Sequence, residues 1–78
     1  MKIKIEYCVV WNYFPKASRV EQEIKLNFPE SSVELVEGRG GVFDVYLGDK
    51  LIFSKNAMHS PRFPESGEIP ELINKEVD

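Results

Sequence analysis

The stretch KIKIEYCVVWNYFPKASRVEQEIKLNFP, residues 2–29, decides the fold, because its apolar period changes once along its length. Ile3, Ile5 and Tyr7 alternate with Lys2, Lys4 and Glu6, which predicts a strand with one wet face that closes at Cys8. From Pro15 the spacing becomes helical, with Ala17, Val20, Ile24 and Phe28 on one side and Lys16, Arg19, Glu21, Glu23 and Lys25 mostly elsewhere. Pro15 suits a first helical turn, where its missing N–H costs nothing. Pro29 ends the helix, since the residue before a proline is pushed out of the helical region.

Working outward, Ser32 to Glu37 reads as a second strand with Val33 and Leu35 inward, followed by the flexible turn Gly38-Arg39-Gly40-Gly41. That turn joins two strands and opens no helix, so it lacks the dipole and amide cradle that hold phosphate. Val42 to Leu47 alternates again, setting Phe43, Val45 and Leu47 against Val42, Asp44 and Tyr46. Gly48-Asp49 predicts a tight hairpin into a strand over Lys50 to Ser54. A polar stretch from Lys55 to Pro64 precedes a helix expected from about Glu65 to Lys75, with Ile69, Leu72 and Ile73 inward. Gly67 and Pro70 weaken its start and allow it to begin as late as Pro70. The order is β-α-β-β-β-α. A right-handed crossover makes the first two strands parallel, and short turns make the rest antiparallel. The expected fold is an α/β two-layer sandwich of thioredoxin-like type: a four-stranded mixed sheet with one face wet and both helices on the other.

At 78 residues the chain is expected to form one small domain of modest stability. Its single cysteine can form no internal disulfide and lacks companions for a structural zinc site, which points to a reducing, cytoplasmic compartment. The alternating first ten residues do not resemble a signal peptide, and no stretch approaches the roughly 20 apolar residues that cross a bilayer. A net charge of −3 with interspersed signs argues against nucleic-acid binding. Acidic residues thicken toward the end, at Glu65, Glu68, Glu71, Glu76 and Asp78, as on a solvated helix face.

Cys8 is the sole candidate catalytic residue. A thiol between a strand and a helix is often accessible, and the helix N-terminus, with some help from Lys16 and Arg19, favours thiolate. A dithiol motif would need a second cysteine at residue 11, which is Trp11. Chemistry at Cys8 is therefore one-cysteine chemistry, with glutathione, a protein partner or a second copy of the chain supplying the other sulfur. The competing reading of Cys8 is a small, partly buried apolar residue. Val9, Val10, Trp11, Tyr13 and Phe14 make an unusually apolar loop, either a recognition surface or ordinary packing. His59 reads as a surface loop residue, and the carboxylates form no convincing acid/base pair. No cofactor or metal is expected; glutathione is the candidate co-substrate, and the chain is expected to be a monomer or weak homodimer.

Across nearly its whole length the chain resembles the selenoprotein W-related, Rdx-type family of small thioredoxin-like proteins. The resemblance is carried by Tyr7-Cys8 ending the first strand, Tyr13-Phe14-Pro15-Lys16 opening the helix and Phe28-Pro29 closing it, and Glu37-Gly38 before the glycine turn. Gly41-Val42-Phe43-Asp44-Val45 and the hairpin from Gly48 to Lys55 complete it. It implies a thiol-based oxidoreductase in cell redox homeostasis, linked to glutathione or thioredoxin. Cys8 matches the first position of the family's two-residue redox motif, and Trp11 stands where the second cysteine or selenocysteine would be. It also implies that Gly41 and Phe43, in the family's Gly-x-Phe motif, pack beside the redox loop, with Asp44 in place of a longer Glu. The alternative function is a non-catalytic protein-binding module that uses the Val9–Phe14 loop.

Overall fold

In the computed structural model, which describes residues 1–77, six elements follow the expected order: β1 (Lys2–Cys8), α1 (Phe14–Asn27), β2 (Ser32–Gly38), β3 (Phe43–Leu47), β4 (Lys50–Ser54) and α2 (Glu68–Val77). Asp78, counted above with the acidic C-terminus, lies outside the described residues. The sheet order is β2-β1-β3-β4. β1 runs parallel to β2, from Lys2 opposite Ser32 to Cys8 opposite Gly38, and antiparallel to β3. The central strand is thus the one whose alternation is cleanest.

Ile3, Ile5 and Tyr7 of β1 are buried under the helices with Phe43, Val45 and Phe53 from the sheet, Ala17, Val20 and Ile24 from α1, and Ile69 and Ile73 from α2. Val33, Leu35, Leu47 and Leu72 pack against this cluster from its edges. The other face keeps its polar side chains, and Lys4 lies 4.5 Å from the centre of the Tyr46 ring.

β2 runs one residue further than expected, to Gly38, and β3 begins one residue later, at Phe43; the remaining departures have local reasons. α1 begins one residue early, at Phe14, with Pro15 in its first turn, and ends at Asn27 while the Phe28 N–H still bonds to the Ile24 carbonyl. β4 carries a bulge: Val45 pairs with Phe53 but Tyr46 pairs with Leu51, leaving Ile52 unpaired. That extra residue lets Phe53 face the core while Leu51 stays exposed. α2 starts at Glu68 rather than Glu65, because the preceding residues form its cap. The Glu68 carboxylate accepts two bonds from the Arg62 guanidinium, at 2.7 and 2.9 Å, and one from the Glu65 N–H at 2.9 Å. Glu23 of α1 accepts a bond from the Gly67 N–H at 2.8 Å, tying the two helices together at the start of α2.

The Arg62 hydrogen bonds hold the Glu68 carboxyl below its usual value near 4.5, and the Glu65 amide works in the same direction. A carboxyl depressed on folding stabilises the protein fully above its unfolded value, and that contribution is lost as pH falls through the lower folded value. Replacing Glu68 by Gln is expected to cost under about 1 kcal/mol near neutrality, since the guanidinium is partly exposed. It should also flatten the loss of stability below pH 4.5. Urea midpoints measured from neutral to acid pH for both proteins check this.

Candidate functional site

The junction between β1 and α1 is a single tight turn. The Tyr13 N–H donates to the Cys8 carbonyl at 3.0 Å and the Asn12 N–H to the Val9 carbonyl at 2.9 Å. This nested pair, with Asn12 in the left-handed region at φ 57°, is the pattern that closes helix C-termini. Asparagine tolerates that conformation better than most residues. The turn delivers Tyr13 to the start of α1, where its carbonyl accepts the Ala17 N–H at 3.0 Å.

Cys8 is fully buried, at 0% exposure, against the expectation of an accessible loop thiol. The reason lies in strand parity. In a parallel pair, opposed residues share a face, and a Cβ on Gly38, which pairs with Cys8, would meet Val42 at 2.6 Å and the Glu6 carboxylate at 2.8 Å. Cys8 therefore faces the side of the sheet away from the helices, with Glu6, and takes no part in the core cluster. Lys16 and Arg19 belong to α1, on the opposite side, so the expected support from these cations is not built. The Cys8 N–H bonds to the Val42 carbonyl at 2.9 Å, which fixes the strand end in place. On the same face Asp44 pairs opposite Glu6 and keeps a buried Oδ1 with no hydrogen-bond partner.

The apolar loop divides. Val9, Val10, Trp11 and Phe14 are exposed, Val10 by 83% and Trp11 by 59%. Tyr13, grouped with them in the sequence, turns inward and packs on the core, with its ring 4.7 Å from that of Phe63 and edge-on to it. The Trp11 ring centre lies 6.1 Å from that of Tyr13, and Phe14 lies 5.8 Å from Tyr7. Trp11 also lies against the backbone of Gly41, where any side chain would collide with the indole and where φ is 71°. Gly41 is thus the floor of the Trp11 site. Phe43 is a core residue with no exposure, set edge-on to Phe53 and Phe63. His59 is exposed. Phe63, overlooked as a site residue because it sits in a polar stretch, joins the loop to the core through Tyr13. Among the described residues no group of acidic, histidine or cysteine side chains is placed to hold a metal ion, and no helix is long and apolar enough to cross a membrane.

Comparison with known proteins agrees with this architecture. The Rdx family profile matches residues 2–75. A selenoprotein W-related protein from Vibrio cholerae superposes with a TM-score of 0.88 at 24% identity, covering 99% of this chain and 96% of the other. A protein from Bordetella parapertussis superposes with a TM-score of 0.87 at 25% identity, covering 96% and 95%. No curated protein sequence matches significantly. The chain belongs to the Rdx family, and with it goes a redox-associated function at the level of the family.

The two turn glycines give a controlled test of the Trp11 site. Alanine at Gly40 meets nothing within 4 Å and should cost only the left-handed strain, about 1–2 kcal/mol. Alanine at Gly41 bears the same strain and must also expel the indole. It should be the more destabilising of the two and should shift the emission of Trp11, the only tryptophan, toward that of a solvated indole. Urea unfolding and fluorescence spectra of both variants decide it.

Proposed function

We propose that this chain is a selenoprotein W-like thiol redox protein of cell redox homeostasis, working in the cytoplasm through Cys8 alone. Its thiol becomes available when the loop over residues 9–13 opens or is engaged by a protein partner. The supporting observation is the pairing of a fully buried sulfur with a loop that has two backbone bonds of its own and one to the neighbouring strand, from the Val9 N–H to the Gly38 carbonyl at 3.4 Å, and whose outer side chains are apolar and exposed. A segment with so few internal bonds is drawn from the low-stability end of a protein's local openings.

The chemistry needs no group beyond thiols and a disulfide. The Cys8 thiolate attacks one sulfur of a disulfide such as oxidised glutathione. A Cys8–glutathione disulfide forms, and one glutathione thiolate leaves. A second external thiolate then attacks the glutathione sulfur, forming a new disulfide and releasing the Cys8 thiolate. The external thiol does the work a second cysteine would do, because Trp11 has no sulfur to offer.

The complete burial of Cys8 favours a second reading, a non-catalytic binding module that keeps the fold and uses Val9, Val10, Trp11 and Phe14 to hold a protein. Alkylation of Cys8 by iodoacetamide in increasing sub-denaturing urea, read by intact mass, separates the two. Local opening of the loop exposes little surface, so the redox reading predicts a rate nearly independent of urea. It also predicts a mixed disulfide with glutathione on protein that keeps its folded fluorescence. A rate that follows global unfolding, with no adduct on the folded protein, would sink the redox reading and leave the binding module. In a functional assay, replacing Cys8 by Ser should abolish function under the redox reading and spare it under the other; replacing Trp11 should do most damage under the second.

A further inference from the structure

Beside the exposed loop lies a strip that joins aromatic rings to amines. Lys55 sits 5.5 Å from the Tyr13 ring centre and 5.7 Å from that of Phe63, and Lys16 sits 5.1 Å from that of Phe63. Tyr13 leads on to Trp11, and the Asn56 side chain, next to Lys55, donates to the Gly40 carbonyl at 3.3 Å, beside the glycine beneath the indole. The strip is therefore continuous with the loop.

These two lysines are among the six of the chain's ten cations that have no carboxylate partner within the described residues. Lys25, Lys50, Arg62 and Lys75 each have a carboxylate partner within 4 Å among the described residues. Lys16 and Lys55 have none and rest over rings instead, which leaves their charge available to a ligand. A protein with net charge −3 thus keeps two amines without a carboxylate partner over the rings that lead through Tyr13 to Trp11, its largest exposed aromatic residue.

We propose that this strip is the docking surface for an acidic, apolar-bearing segment of a partner protein, whose carboxylates meet Lys16 and Lys55 while its apolar side chains cover Trp11 and Val10. The inference rests on the reading that the loop engages a protein, and it gives that partner its chemistry.

Trp11 is the only tryptophan, so its emission reports occupancy directly. A short tryptophan-free peptide alternating Glu with Leu is titrated into the Cys8→Ser protein, where no disulfide chemistry can intervene, beside Gln–Leu and Lys–Leu counterparts. The expected result is a saturable shift with the Glu–Leu peptide alone, weakened by added salt. K16Q/K55Q should weaken it roughly threefold or more, and K16E/K55E should transfer the preference to the Lys–Leu peptide. Equal binding of the Gln–Leu peptide overturns the acidic partner while leaving the loop as a docking surface. A shift on concentrating the protein alone, meaning a second copy covers the strip, also overturns it, as does the absence of any shift. Because Cys8 is absent from the titrated protein, none of these outcomes bears on the alkylation result.

Discussion

The structure depends on the position of β1 at the centre of the sheet, clasped between a parallel and an antiparallel neighbour. A central strand has every backbone group committed and no freedom of register, because a slip of one residue would carry Ile3, Ile5 and Tyr7 out of the core. That register also decides the fate of the sulfur. Tyr7 must face the helices, so Cys8 must face away from them, into the closed end of the sheet beside Glu6, Gly38 and Val42. The side of the sheet on which the thiol is buried is a consequence of core packing one residue upstream, at Tyr7.

The same constraint shapes the loop. With the Cys8 carbonyl directed to the Tyr13 N–H, the chain has four residues in which to leave the sheet and begin a helix on its other side. It does so by a left-handed residue at Asn12, and the price is that Val9, Val10 and Trp11 have nowhere to go but outward. Trp11 recovers some burial by lying on Gly41, which is why a glycine with positive φ stands across from it. Tyr13, at the N-terminal edge of α1, is the first side chain able to reach the core again.

How much of this was legible in the residues follows from the range of each interaction. The strands, both helices and the sheet topology rest on periodicity within single segments, and 3.6- and two-residue periods were plain in β1, α1 and β3. The bulge at Ile52 was not, because it is a mismatch between two strands and neither one shows it alone. The cap of α2 was likewise hidden, since Arg62 and Glu23 reach it from outside the helix. In the site, the importance of Cys8 and the apolar loop could be read from composition. The burial of Cys8 and the division of the loop into exposed Trp11 and inward Tyr13 required the register of β1 against β2 and the position of Phe63. Phe63 lies 50 residues beyond Tyr13 in a stretch with no period at all.

A buried single thiol at the root of an exposed apolar loop would separate recognition from sulfur chemistry. In a dithiol protein a second sulfur completes the reaction by attacking the mixed disulfide. Here the residue at that position is an indole, exposed enough to touch a partner and unable to exchange disulfides. Selectivity would then be exercised at Trp11 and the neighbouring amines before any sulfur is reached, because the residues that recognise are the residues that must move. A partner that binds the loop in its closed form stabilises that form and keeps Cys8 inaccessible. Only one that binds the opened loop more tightly shifts the population toward a reactive thiol. On the proposed reading, binding and reactivity would be coupled through a single turn of six residues, Cys8 to Tyr13, closed by two hydrogen bonds of its own.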